Sequence, residues 1–179
     1  GGRRAGMEAE GEGGNEPGRA DKWRVMRALG EARTRFALSD RSIAVLEALV
    51  SVLPGKELDA SRAMVVFPSN AELSARTNGM APATLRRHLA ALVAADLILR
   101  RDSPNGKRYC RRDDSGQVES AFGFDLAPLA LSAAAIFEAS DAAKAESRAR
   151  SLLKGEITIH QRDVSKLVSA AQEEGRAGD

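Results

Sequence analysis

The chain reads as a mainly α fold with a small β-hairpin wing, followed by C-terminal helices. Three observations predict this. An Ala- and Leu-rich composition with only 4% aromatics favours helix. Between Ser69 and Ala95, two short helical patterns are parted by Asn78-Gly79. A basic stretch centred on Asn105-Gly106, the strongest short hairpin signal, follows at once. Helix, turn, helix and then hairpin is the order of a winged helix-turn-helix, a device for holding DNA.

The bulk properties set limits. At 179 residues, with 43% hydrophobic and 29% charged, the chain is long enough for one cored domain plus appendages. The net charge is only +2, but it is unevenly placed. From Arg100 to Arg112 six cations meet one acid, a net of +5, whereas from Asp141 to Asp179 seven cations meet seven acids. One cysteine, Cys110, excludes an internal disulfide framework, and two histidines leave little for a metal site. No apolar run approaches a membrane span, and Gly1–Asn15 lacks the apolar centre of a signal peptide. The expectation is a cytoplasmic protein with no metal, cofactor or membrane.

Residues 1–18, Gly- and Glu-rich, are expected to form a disordered tail. Residues 19–126 form the winged domain, 127–174 a helical extension acting as linker or dimerisation element, and 175–179 a frayed tail. A first helix starts at Asp21, with Trp23, Met26 and Leu29 or Ala28 sharing a face, so that Trp23 packs on the core. Ser39 is a good N-cap for the next helix, in which Ile43, Leu46, Leu49, Val50 and Leu53 recur at helical spacing until Pro54-Gly55 stops it. A loop runs to Ala63, and Met64–Phe67 makes a short strand ended by Pro68.

Ser69 and Glu72 have the spacing of a capping box for a short helix that Asn78-Gly79 ends. Pro82 opens the second helix, which runs to about Ala95. Leu85, Leu89, Leu92 and Val93 form its apolar stripe. The opposite face carries Ala83, Arg87 and Ala94, with Thr84 and Ala91 beside them and Arg86 and His88 on the flanks. Leu97–Arg101 and Lys107–Arg112 are the two wing strands, Asp113–Gly116 a further turn, and Val118–Phe124 an added strand or extended segment. From Pro128 the chain is helical, with Leu131, Ile136 and Phe137 as anchors. Glu156–His160 alternates like a strand, yet Leu153, Ile157, Val164, Leu167, Val168 and Ala171 fit one helical stripe. Length favours helix, and Gly155 marks a candidate break.

The candidate contacts to double-stranded DNA follow from this layout. Arg87 is the residue for base-edge reading, because its fork matches guanine O6 and N7. Thr84 bonds a phosphate or base, Ala83 touches a thymine methyl, and Arg86 flanks them. The wing supplies Arg100, Arg101, Asn105, Lys107, Arg108 and Arg111 to phosphates. Adjacent strand residues point to opposite faces, so one of Arg100 and Arg101 faces DNA, and the same holds for Arg111 and Arg112. Ser69 and Asn70 either offer backbone amides to a phosphate or simply cap their helix.

Enzyme chemistry finds no support. Gly55-Lys56 lacks the rest of a phosphate loop, and His88 and His160 have no triad or ligand spacing. Asp113-Asp114 belongs to a turn. Cys110 is an incidental wing residue. A winged-helix transcriptional repressor, and a protein-interaction module using the wing and C-terminal helices, are the alternative readings.

Six stretches carry a resemblance: ADKWRVMRAL (20–29), LSDRSIAVLEAL (38–49), VFPSNAELS (66–74), GMAPATLRRHLAALVAADLI (79–98), RRDSPNGKRY (100–109) and AFGFDLAPLA (121–130). Together they resemble the replication initiator C family of repABC plasmids in alphaproteobacteria. The resemblance implies a DNA-binding initiator acting at its plasmid's own replication origin, recruiting host replication proteins and limiting copy number. Family members are longer, with a separate C-terminal domain, so the chain is expected to correspond to the N-terminal part.

Overall fold

The computed structural model describes residues 16–102, 111–112, 118–119 and 123–178, with the two dipeptides described as backbone only. The expected N-terminal tail up to residue 15 and the hairpin tip with Asn105, Lys107, Arg108 and Cys110 lie outside the described residues. The fold is mainly helical, with small antiparallel strand pairs and C-terminal helices, consistent with a winged helix. Contacts group residues 1–139 into one compact unit and residues 140–179 into another.

The first unit opens with β1 (Arg19–Asp21) and α1 (Lys22–Glu31). Asp21 caps α1 by accepting from the Arg24 amide at 2.8 Å. The buried face of α1 is Lys22, Val25, Met26, Ala28 and Leu29. Trp23 is turned about 100° from Lys22 around the axis, and it stays 43% exposed instead of packing in the core. After a 3-10 turn at Arg33–Phe36 comes α2 (Asp40–Val52), capped by Ser39 as expected. Its Val45, Leu46, Leu49 and Val50 are fully buried.

The segment expected to be a loop contains β2 (Glu57–Asp59), paired antiparallel with β1. Three residues are too few to show a period, and the pairing is non-local, so sequence patterning carried no signal for it. Next come β3 (Val65–Val66), α3 (Asn70–Arg76), α4 (Pro82–Ala94) and β4 (Leu99–Arg101). The expected strand start at Leu97 is displaced to Leu99, because Asp96 takes a left-handed φ of 56°. Buried Leu97 and Ile98 bridge helix and strand.

β5 (Arg111–Arg112) pairs with β6 (Val118–Glu119), and β7 (Gly123–Asp125) forms the centre of a sheet ordered β3-β7-β4. Among the described residues β4 pairs with β7, and the expected return strand Lys107–Arg112 lies outside them except for Arg111–Arg112, which pair with β6. Burial decides the place of β7: Phe124, 3% exposed, stands opposite both Val66 and Arg100 and closes the core beneath the sheet. On the other face Phe67 lies over Gly123, where an added Cβ would come within 2.5 Å of its ring.

α5 (Ala127–Leu131) and the start of α6 (Ala133–Ala177) complete this unit. Leu126, Leu129 and Ile136 are fully buried, while Leu131, expected as an anchor, is 67% exposed. The break at Ser132 leaves Leu129 and Ala130 facing inward and Leu131 outward.

Beyond residue 139, α6 continues as one uninterrupted helix. Its 45 residues span roughly 68 Å at 1.5 Å per residue. It runs through Gly155 without a break and through the expected frayed end to Ala177. From Lys144 to Ala177 every residue is exposed, including the whole stripe from Leu153 to Ala171.

Candidate nucleic-acid interface

α3 and α4 are set by local chemistry. Ser69 Oγ accepts from the Glu72 amide at 3.0 Å, so its hydroxyl acts as a cap. Glu72 itself lies 3.5 Å from Arg76. At the other end Thr77 Oγ1 donates to the Leu73 carbonyl at 2.7 Å. Asn78 and Gly79 then take left-handed φ values of 57° and 80°, which Gly adopts freely and Asn tolerates. The Gly79 amide returns to the Ser74 carbonyl at 2.8 Å, and Met80, 6% exposed, plugs the turn into the core. α4 begins without a side-chain cap, because Ala81 occupies that position and Pro82 follows. Its first intrahelical bond is Leu85 N–H to the Ala81 carbonyl at 2.9 Å. The Ala83 and Thr84 amides are thus free of helical partners at the positive helix end.

α4 buries Leu85, Leu89 and Leu92 and packs chiefly on α2. Its outer face presents Ala83, Arg86, Arg87, Ala90 and Ala94, all exposed, with Thr84 half-buried. At 100° per residue these five lie within a strip roughly 100° wide. Ala90 completes a face of two guanidiniums among three alanines, small enough to let the backbone approach another surface.

His88 does not flank that face. It is buried, with Nδ1 2.9 Å from Ser42 Oγ on α2, while Nε2 is buried without a partner among the described residues. Its position, 60° round from Leu85, is covered by α2, which the apolar stripe alone could not show. Burial holds His88 below the usual imidazole range, and the charges of Arg87 and then Arg41 push the same way. Ser42 also accepts from Ser39 Oγ at 3.1 Å, so cap, hydroxyl and imidazole form one chain of contacts.

Arg41, exposed in the first turn of α2, was not among the expected contacts. Its neighbour Asp40 is engaged by Arg33 at 2.9 Å. Among the described residues, no carboxylate pairs with Arg41, Arg86 or Arg87. Nothing in the sequence singled out Arg41, because its nearness to α4 arises from helix packing.

The two wing arginines on β4 differ. Arg101 reaches Asp125 at 3.3 Å across the sheet, on the face shared with exposed Leu99. Arg100 is exposed on the opposite side, in register with Phe124. Arg111 is described only as backbone in β5, opposite Glu119. Asn70 is half-buried in the first turn of α3. Among the described residues no cluster of three or more His, Cys, Asp or Glu forms a metal site, and no helix is long and apolar enough to cross a membrane.

Residues 3–172 match the family model described as replication protein C N-terminal domain. Two proteins carrying the replication protein C name, from Sinorhizobium fredii and Rhizobium rhizogenes, are each 48% identical over 160 residues. The match covers 89% of this chain and 40% of each relative, so the chain spans about two fifths of their length. No solved structure matches.

Proposed function

We propose that this chain, which belongs to the replication protein C family and matches its N-terminal domain, acts in plasmid replication initiation by binding double-stranded DNA of the plasmid origin in a sequence-specific manner. The observation that carries the reading is the outer face of α4. Exposed Arg86 and Arg87, paired with no carboxylate among the described residues, stand among Ala83, Ala90 and Ala94. Small side chains let a helix sink into the major groove, and Arg87 reads a guanine edge there. The open amides at the start of α4 and the basic segment from Arg100 onward take the backbone phosphates. No catalysis belongs to this reading. Host replication proteins act through the rest of the longer family member.

Self-association is part of the same proposal. From Leu153 to Ala171 the exposed stripe of α6 alternates four and three residues: Leu153, Ile157, His160, Val164, Leu167, Ala171. One core position carries Ile157, Val164 and Ala171 and the other Leu153, His160 and Leu167, and β-branched residues at the first with Leu at the second favour a two-stranded parallel coiled coil. Leu153 is 58% exposed, Ile157 52%, Val164 58% and Leu167 71%, so the seam has area to bury.

The test is a salt-dependent titration on origin and scrambled duplexes, with mass measured in solution. Arg87→Ala is expected to reduce discrimination between the two by about 1–3 kcal/mol. Equal loss on both duplexes would remove Arg87 from base reading. Failure of the unaltered chain to bind either duplex at low salt would remove the DNA proposal.

A further inference from the structure

The contact between α2 and α4 has a consequence at the surface. Ser42 and His88 meet at 2.9 Å, and both are buried. The residue preceding each is an exposed arginine, Arg41 on α2 and Arg87 on α4. The buried contact is thus preceded, on each helix, by one exposed arginine. The electrostatics agree with the geometry, because both arginines act on the same imidazole. The nearest acid in sequence, Asp40, is drawn to Arg33 on the preceding turn. Two cations whose fields meet at one imidazole gain nothing from each other in the fold. An anion between them would relieve their repulsion and accept hydrogen bonds from both forks.

We propose that Arg41 and Arg87, held by the Ser42–His88 contact, form a two-helix clamp for one backbone phosphodiester at the edge of the groove that α4 enters. The proposal rests on the DNA-binding reading above and extends the contact surface to α2. Arg87 is then reached by a phosphate on one side and a base edge on the other. Arg41 contacts phosphate alone, contributes affinity without sequence preference, and fixes how deeply α4 sits.

The test is the salt dependence of binding by Arg41→Gln and Arg41→Lys in the full chain, on origin and scrambled duplexes. Losing one phosphate contact is expected to flatten the log–log salt slope by about 0.9 and weaken binding about tenfold near 0.1 M salt, equally on both duplexes. Arg41→Lys is expected to keep most of the slope, because the charge remains. An Arg41→Gln chain with unchanged affinity and slope, while the parent chain binds, overturns the clamp and leaves the DNA proposal standing. A loss confined to the origin duplex also overturns it, since it would make Arg41 a base reader. If the parent chain binds neither duplex, both proposals fall together. Chemical denaturation of each variant, expected unchanged for this exposed side chain, separates a lost contact from a lost fold.

Discussion

Replacing Ser42 by Ala isolates the polar contact that joins α2 to α4. The Ser42 amide keeps its bond to Ser39 Oγ at 3.1 Å, so the helix cap survives. What is lost is the 2.9 Å contact to His88 Nδ1. Because His88 Nε2 is already buried without a partner among the described residues, the imidazole would then have two unpaired ring nitrogens in the core. One buried polar group left unsatisfied costs about 1–3 kcal/mol. The hydroxyl leaves a void too small to add much. Ser42→Ala should therefore destabilise by roughly 2 kcal/mol, or lower Tm by about 5–10 °C for a unit of this size. His88→Leu in the same background removes the orphaned group and fills the space. The double variant should recover at least 1 kcal/mol, because two apolar partners are nearly neutral where one polar orphan is not. The assay is urea denaturation of the four chains, followed by circular dichroism. A Ser42→Ala effect under about 0.5 kcal/mol, or additive effects in the double variant, would show that the contact does not hold the helices together.

Two further outcomes follow from buried titratable groups. His88 is held below its ordinary 6.5 by burial, then by Arg87 and Arg41, so the folded state keeps the imidazole neutral where the unfolded chain takes up a proton. Its contribution is full above about pH 6.5 and is lost as pH falls through the folded value. Stability measured from pH 8 to 5 should decline over that window in the parent and flatten in His88→Leu; identical profiles would assign the decline to other groups. Lys22 is 5% exposed and donates from Nζ to the carbonyls of Leu53 at 2.7 Å and Val50 at 3.2 Å, tying off the end of α2. Lys22→Met loses charge-assisted bonds worth about 1.5–3 kcal/mol but also relieves the burial that lowers this ammonium. The net expectation is about 1 kcal/mol of destabilisation by thermal unfolding, and a more stable variant would mean that desolvation outweighs the bonds.

The candidate interface was partly legible beforehand. The α4 outer face could be listed because helical period alone separates Arg87 and Ala83 from Leu85 and Leu89. The wing arginines were not separable in this way. Asp125, which engages Arg101, lies 24 residues away and meets it only because β7 pairs with β4. Trp23 was misassigned for a related reason. Its size argues for burial, but which face of α1 is inner depends on where α2 lies.

Local rules in the sequence determined the parts whose causes are local. The caps at Asp21 and Ser69, the left-handed Asn78-Gly79 turn and the start of α4 at Pro82 each depend on residues a few positions apart. Tertiary structure decided what depends on distant partners: the pairing of β1 with β2, the central place of β7, and the burial of His88 against Ser42. The reach of Arg41 and Arg87 to one imidazole belongs to that second group. Propensity and period act over one or two turns of chain, whereas these contacts span tens of residues and form only where packing of the apolar faces brings them together.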